Sequence, residues 1–380
     1  MGVLSMIDLY AYRFGVNYTP TREWWYCWND FQADAIERDL DAIAALEADH
    51  IRIMLLWPSF QPNPRAVSPA HLERLVTLVD LAAARNLDVC ASLFVGWLSG
   101  YSFKPPYQQD ADFYALGEAL QAQELYMTRV AETLRPFANF LGFDLGNELN
   151  CCWSTDDFGW HASPEKLAQG DAWQEHMLAL AAHLIPEGPH VNGVDHNPWF
   201  HPSTFSPVNL ARTQPTVALH CWSYFTGALQ QAGGDPFGPA SLHLLATMAT
   251  LARAYAGDAR KPIWAQEFGM SEEWMPAAHI PRFLEETMTS GIEAGVSWFT
   301  WWCSHDLDPT LAFHPLEYSL GLITHEQQIK PHGAIFRDLA RAYRGRRVDP
   351  ARLPDLVDPP SEHSMEATWA WLNALTAHLQ

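Results

Sequence analysis

QADAIERDLDAIAALEAD (Gln32–Asp49) runs directly into HIRIMLLW (His50–Trp57). The first segment has apolar residues at helical spacing, and the second is a short apolar run of strand length. The same pair then recurs, with PAHLERLVTLVDLAAARN (Pro69–Asn86) leading into Leu87–Val95. Working outward, the remaining candidate strands are Arg13–Tyr18, Phe140–Glu148, His190–Val194, Thr216–Trp222, Pro262–Glu267 and Val296–Trp302. Helical patterns fill the gaps at Tyr114–Phe137, Pro164–Ile185, Pro239–Ala256, Ile280–Ala294 and Gly333–Tyr343. Several open with Pro at or near the first turn, a usual helix start. Only Pro202–Thr213 is available for the fifth crossover.

Eight strands alternating with about eight helices predict an α/β fold, a (β/α)8 TIM barrel in a single domain. The rival, a doubly wound open sheet, needs a glycine-rich turn after its first strand, and YTPTREWWYCW has none. The barrel is assigned to residues 1–345. Residues 346–380, a Pro-rich segment (RVDPARLPDLVDPPS) and a last helix, are expected to pack on it.

With 23 Lys+Arg against 44 Asp+Glu, the formal charge is −21, which disfavours nucleic acid or an anionic membrane as partner. No apolar run reaches membrane-spanning length, and the first residues lack the pattern of a signal peptide. Six cysteines without metal or disulfide spacing suggest reduced, buried thiols in a cytoplasmic protein. Seventeen Trp are unusual, and indole faces stack well on sugars. An oligosaccharide is therefore the expected partner, with no metal and no cofactor, and homo-oligomerisation is left open.

Active-site groups of such barrels stand at the C-terminal strand ends. Strand four ends Gly146-Asn147-Glu148 and strand seven ends Gln266-Glu267, placing two carboxylates across the mouth. Buried carboxylates are costly to ionise, and a pair of them suits glycosidic hydrolysis, one donating a proton while the other attacks.

These residues resemble the family 5 glycoside hydrolases. The matching pieces are Arg52 in HIRIMLLW, Asn147 and Glu148 in DLGNELN, His220 in VALHCW, Glu267 in PIWAQEFG and Trp301 to Asp306 in WWCSHD. The resemblance spans roughly Phe14 to Leu339, and GVNYTP, WWCSHD and EYSLGL (Glu317–Leu322) are most like the β-mannosidase branch. It implies Glu148 as general acid/base and Glu267 as nucleophile of a retaining enzyme. It further implies Asn147 on the sugar 2-hydroxyl, Arg52 beside Glu267 lowering its pKa, and Trp301 as the floor under the sugar. His220, Trp222, Tyr224, His305, Asp306 and Trp97 complete the expected substrate contacts. Two departures stand out: Trp97 replaces a usual His, and His220-Cys221-Trp222 replaces His-x-Tyr. The Tyr normally bonds the nucleophile, so either Tyr224 takes its place or nothing does.

Asp195-His196-Asn197, with His190 and His201, reads as a loop lining the cleft rather than a metal site. Trp24-Trp25-Tyr26-Cys27-Trp28 is either a packed loop or a sugar-stacking wall. Bulky loops after strands one (Thr19–Phe31), three, four (Leu149–Ser163) and eight predict a pocket closed at one end, hence removal of a terminal β-linked mannose. The alternatives are an endo-acting β-1,4-mannanase or glucanase and a non-catalytic sugar-binding barrel.

Overall fold

The computed structural model describes residues 7–108, 113–114, 117–152 and 163–377. Its eight-stranded parallel sheet consists of β1 (Arg13–Asn17), β2 (His50–Leu56), β3 (Asp88–Val95), β4 (Phe140–Asn147), β5 (Val191–Gly193), β6 (Val217–His220), β7 (Ile263–Phe268) and β8 (Trp298–Trp301). Hydrogen-bonded neighbours run β5-β4-β3-β2-β1-β8-β7-β6, and β5 lies against β6 without ladder bonds. This is the expected (β/α)8 barrel.

Around it pack α1 (Ala33–Ala45), α2 (Pro69–Ala83), α3 (Glu118–Leu134), α4 (Pro164–Leu184), α5 (Pro207–Thr213), α6 (Leu244–Ala256), α7 (Ile280–Glu293) and α8 (Pro331–Tyr343). The expected helix at Pro239–Ala256 is broken at His243, leaving a short turn Pro239–Leu242 ahead of α6. Of the expected Tyr114–Phe137 helix, residues 115–116 lie outside the described residues. The short strand-five crossover holds a single helical turn, Asn197–Phe200, and the seven-residue α5, capped by Ser206 Oγ on Asn209 N–H.

Alternation along the strands divides the core. Trp264 and Trp298 point inward with Cys90, Leu141, Val191 and Ala218. Above them Thr300 Oγ1 meets Trp264 Nε1–H and His50 Nε2, both at 2.7 Å. Phe299 points outward, stacked on Phe14, which in turn meets Phe336 of α8. At the closed end Arg13 bridges Asp49 and Asp88, fastening the starts of three strands.

The C-terminal segment begins at the closed end, with Val348 N–H on Tyr10 O, and finishes near the mouth. There α9 (Met365–Thr376) carries Trp369, whose Nε1–H donates to Thr226 O and whose ring lies against Phe200. His363 Nε2 donates to Pro198 O, so this segment buttresses the loops after β5 and β6.

Candidate active site

Glu148 follows directly on β4 in a left-handed conformation (φ 49°), its N–H bonded to Gly193 O of β5. A non-glycine residue held there is strained, a feature that concentrates at functional sites. Glu267 stands on β7, and His220 at the end of β6 lies between the two. His220 Nδ1 is 3.0 Å from Glu148 Oε1 and 3.4 Å from Glu267 Oε2. An oxygen of each carboxylate comes within 4.8 Å of the other.

Arg52 lies beneath, with no exposed surface. Its Nη1 donates to Glu267 Oε1 at 2.6 Å and to Asn17 Oδ1 at 2.9 Å. Nε and Nη2 hold Asp144 Oδ2, and Nη2 also reaches Asn147 Oδ1 at 2.8 Å. Asp144 is anchored in turn by Gly193 N–H and the Ser92 hydroxyl. Arg52 was expected among the substrate contacts; its three guanidinium nitrogens are engaged by Asn17, Asp144, Asn147 and Glu267, so it positions Glu267 and Asn147 from below. Asn147 Nδ2 spends one hydrogen on Trp97 O, which leaves one for a ligand.

Burial pushes the Glu148 carboxyl up to about 8, helped by the charge of Asp195 and opposed by Arg52. Glu267 is also raised, by burial and by Glu148, with His220 and Arg52 pulling against the rise. The expected depression of Glu267 is therefore wrong. Arg52 divides its charge between Asp144 and Glu267, and desolvation outweighs the share that Glu267 receives. What separates the pair is that Glu267 has two cationic or N–H neighbours and Glu148 has a carboxylate behind it. Burial lowers the pKa of His220, keeping it neutral. With Gln266 Oε1 3.1 Å from Nε2, the proton assigned to Nε2 leaves Nδ1 to accept from a protonated Glu148.

The question left by the missing Tyr has an answer: Trp222 Nε1 donates to Glu267 Oε2 at 3.4 Å. Tyr224 does not take the role. It is 52% exposed and stacks on Trp274 at 4.7 Å, on the rim outside the pair. Gly269 makes room for this arrangement, since a Cβ there would sit 2.5 Å from Trp302 O and 3.0 Å from the Trp222 ring.

Three further expectations, on β8 and the loop after it, are corrected. Trp301 has no exposed surface; it faces the helices, with Nε1–H on Leu320 O and its ring against Phe268. Trp298 and Thr300 point inward, so the period of two brings the next indole, Trp302, to the mouth. His305 is buried between Ser304 and Gln327, and Asp306 is held by Lys330 Nζ and Gly321 N–H. Both side chains hold the loop after β8 in place rather than face the pair.

The Trp24–Trp28 run is a packed turn in which only Tyr26 is exposed. Trp25 meets Phe103 at 4.9 Å and Phe313 at 4.6 Å, joining the loops after β1, β3 and β8. Asp195 lines the cleft behind Glu148, held by Asn150 Nδ2 and Asn197 Nδ2. Residues 153–162 of the long loop after β4 lie outside the described residues. Glu148, His220 and Glu267 are close enough to share a cation. Arg52 and the Trp222 N–H already occupy both oxygens of Glu267, however, and the guanidinium charge opposes a second cation there.

Sequence reasoning assigned no individual role to Asp144, Asn17, Trp302 or Glu317, and placed Asp195 only within a loop lining the cleft. For Trp302 the signal was present, because counting in twos from Trp298 reaches it.

No family model and no curated protein matches the sequence. Among solved structures, GH5_18 from Streptomyces cattleya, in complex with Manβ1-4GlcNAc, is 31% identical over 96% of this chain and 91% of that one, with a TM-score of 0.86. GH5_18 from Bifidobacterium longum subsp. longum ATCC 55813 is 28% identical over 97% of this chain and 90% of that chain, with a TM-score of 0.84. The exo-β-1,4-mannosidase Op5Man5 from Opitutaceae bacterium strain TAV5 is 27% identical over 89% of this chain and 61% of that one, TM-score 0.76. With paired strand-end carboxylates on a shared barrel, and identity above 30% over almost the full length of both chains, this protein is an enzyme of glycoside hydrolase family 5.

Proposed function

We propose that the protein is a retaining exo-β-mannosidase that removes a terminal β-linked mannose from an oligosaccharide such as Manβ1-4GlcNAc. The observation that carries this reading is the approach of Glu148 and Glu267 to within 4.8 Å. Retaining enzymes hold their carboxylates about 5–5.5 Å apart, whereas inverting ones leave about 6.5–9.5 Å for a water.

Glu148, pushed up to about 8, holds a proton at neutral pH and donates it to the leaving oxygen. Glu267, aligned by Arg52 and Trp222, attacks the anomeric carbon and forms the glycosyl-enzyme. Glu148, now ionised, then takes a proton from the water that releases the sugar. Asn147, with one N–H unspent, binds the 2-hydroxyl, and the Trp302 face supports the ring.

The aromatic junction of Trp25, Phe103 and Phe313 supports the exo mode, since it walls one side of the mouth. The mannoside preference is supported by the Manβ1-4GlcNAc and exo-mannosidase relatives. A cytoplasmic location belongs to the same reading, supported by six buried cysteines, all of them free.

The test is a panel of 4-nitrophenyl β-mannoside, β-glucoside and β-galactoside, with Manβ1-4GlcNAc digestion followed by NMR of the first-formed anomer. Mannose released first as the β-anomer is the expected result. Absence of β-mannoside turnover would overturn the substrate, and a first-formed α-anomer would overturn retention.

A further inference from the structure

The loop after β8 brings a third carboxylate to the pair. Glu317 lies in the turn Pro315–Ser319, inside the EYSLGL motif, and is only 6% exposed. Ser99, from the loop after β3, and the Trp302 indole are its neighbouring donors, and Glu267 and Glu148 act on it as like charges; the buried Ser99 hydroxyl meets no partner within hydrogen-bond geometry. Glu317 makes no ion pair among the described residues, unlike Asp306 eleven positions earlier on the same loop, which Lys330 holds.

A carboxylate offers about four acceptor positions, and its neighbours Ser99 and Trp302 supply at most two donors. The two catalytic carboxyls cannot readily supply the rest. Glu267 is an acceptor already engaged by Arg52 and Trp222, and the Glu148 proton is directed to His220 Nδ1. Burying a carboxylate among like charges without a cation is costly. A ligand rich in hydroxyl donors satisfies it.

We propose that Glu317 is a specificity-determining residue that accepts hydrogen bonds from hydroxyls of the terminal sugar, at the side of the ring remote from the scissile bond. The inference rests on the exo-glycosidase reading and gives that mode a chemical cause. With C1 held between Glu148 and Glu267, and the ring on Trp302, the remote hydroxyls are those at C3, C4 and C6. A hydroxyl there has a hydrogen to give. A glycosidic oxygen at the same place has none, and its further sugar would run into the loops joined through Trp25, Phe103 and Phe313. The site therefore accepts a chain end. Vicinal hydroxyls also match the two oxygens of one carboxylate, as the fork of an arginine does from the opposite polarity.

The bland role for Glu317 is a staple joining the β3 loop to the β8 loop through Ser99 and Trp302. Substrate analogues separate the two. Wild type, Glu317→Gln and Glu317→Ala are assayed for kcat/KM on 4-nitrophenyl β-mannoside and its 3-, 4- and 6-deoxy analogues. Wild type should lose about 10–100-fold on at least one analogue. Both variants should lose a similar factor on the parent and little more on that analogue, because the lost partners belong to one interaction. Equal penalties for each analogue in wild type and variants would overturn the proposal while leaving the β-mannosidase reading intact.

Should the enzyme turn over another aryl β-glycoside instead, the mannoside reading fails, and the same cycle on that sugar's deoxy series still decides the role of Glu317. An enzyme inert on every β-glycoside overturns both. If Glu317→Ala does not fold, judged by its thermal melt, the near-isosteric Glu317→Gln carries the comparison.

Discussion

Trp222 Nε1–H points at Glu267 Oε2 across 3.4 Å, so an indole rather than a hydroxyl steadies the candidate nucleophile. The bond is long, and its donor is rigid. Trp222→Phe should keep the ring and lose the donor, lowering kcat by about 10-fold with little change in KM. Removing a donor from the ionised form raises the Glu267 pKa, so the acid limb of the pH profile should move to higher pH. Tyr224→Ala, which alters only the rim, should leave aryl-mannoside turnover close to wild type. A Trp222→Phe enzyme with an unmoved acid limb would remove Trp222 from this role.

The two glutamates should fail differently. Glu267→Ala forms no covalent intermediate, and turnover of every substrate should fall to background. Glu148→Ala should cost about 10²–10⁴-fold on Manβ1-4GlcNAc, whose leaving oxygen needs a proton, and far less on dinitrophenyl mannoside. Steady-state rates on both substrates decide it. Equal losses would count against Glu148 as the acid.

The pH dependence has a sign fixed by burial. Glu148 must be protonated to act, so activity should decline as pH rises through about 8, and Glu148→Gln should abolish that limb for whatever activated substrate it still cleaves. Stability is linked to the same group. Its folded pKa lies above the ordinary 4.5, so between roughly 4.5 and 8 the folded state binds the extra proton. Wild-type stability relative to Glu148→Gln should therefore fall across that window and level off above it. Paired thermal melts at several pH values measure this, and a constant difference in Tm would contradict the shift.

Arg52 has two carboxylates depending on it, Asp144 and Glu267. Arg52→Met leaves both buried without their cation, and a loss of about 3–5 kcal/mol is expected. Activity should fall as well, because Asn147 and Glu267 lose their common anchor. Arg52→Lys keeps the charge but cannot reach Asp144, Asn147 and Glu267 together, so it should restore stability only in part. Urea unfolding midpoints and kcat/KM for both variants provide the check.

Adjacent indoles on β8 should part company. Trp301→Ala empties a fully buried site among the helices and should cost about 3–5 kcal/mol of stability. Trp302→Ala, at 4% exposure beside the mouth, should depress kcat/KM at least tenfold more than its effect on folding would account for. Similar kinetic losses, after correction for the folded fraction, would return the ring-supporting role to Trp301.

The barrel, its strand ends and the two glutamates were legible because period and position are local properties. Apolar runs set against helical repeats define eight β/α units, and Glu148 and Glu267 end strands that must converge on one mouth. Strand alternation is local too, and the misplacement of the sugar floor on Trp301 came from not following it two residues beyond Thr300. Other features arise only when strands distant in sequence close on one another. The sharing of Arg52 between Asp144 and Glu267, the indole that replaces a tyrosine, and the retention of His305 and Asp306 by Gln327 and Lys330 are of this kind. The sequence alone places Glu148 and Glu267 at the cleft. Tertiary structure decides their protonation, because desolvation and neighbouring charge act through space: burial raises Glu267 against its arginine, and burial with Asp195 behind it raises Glu148.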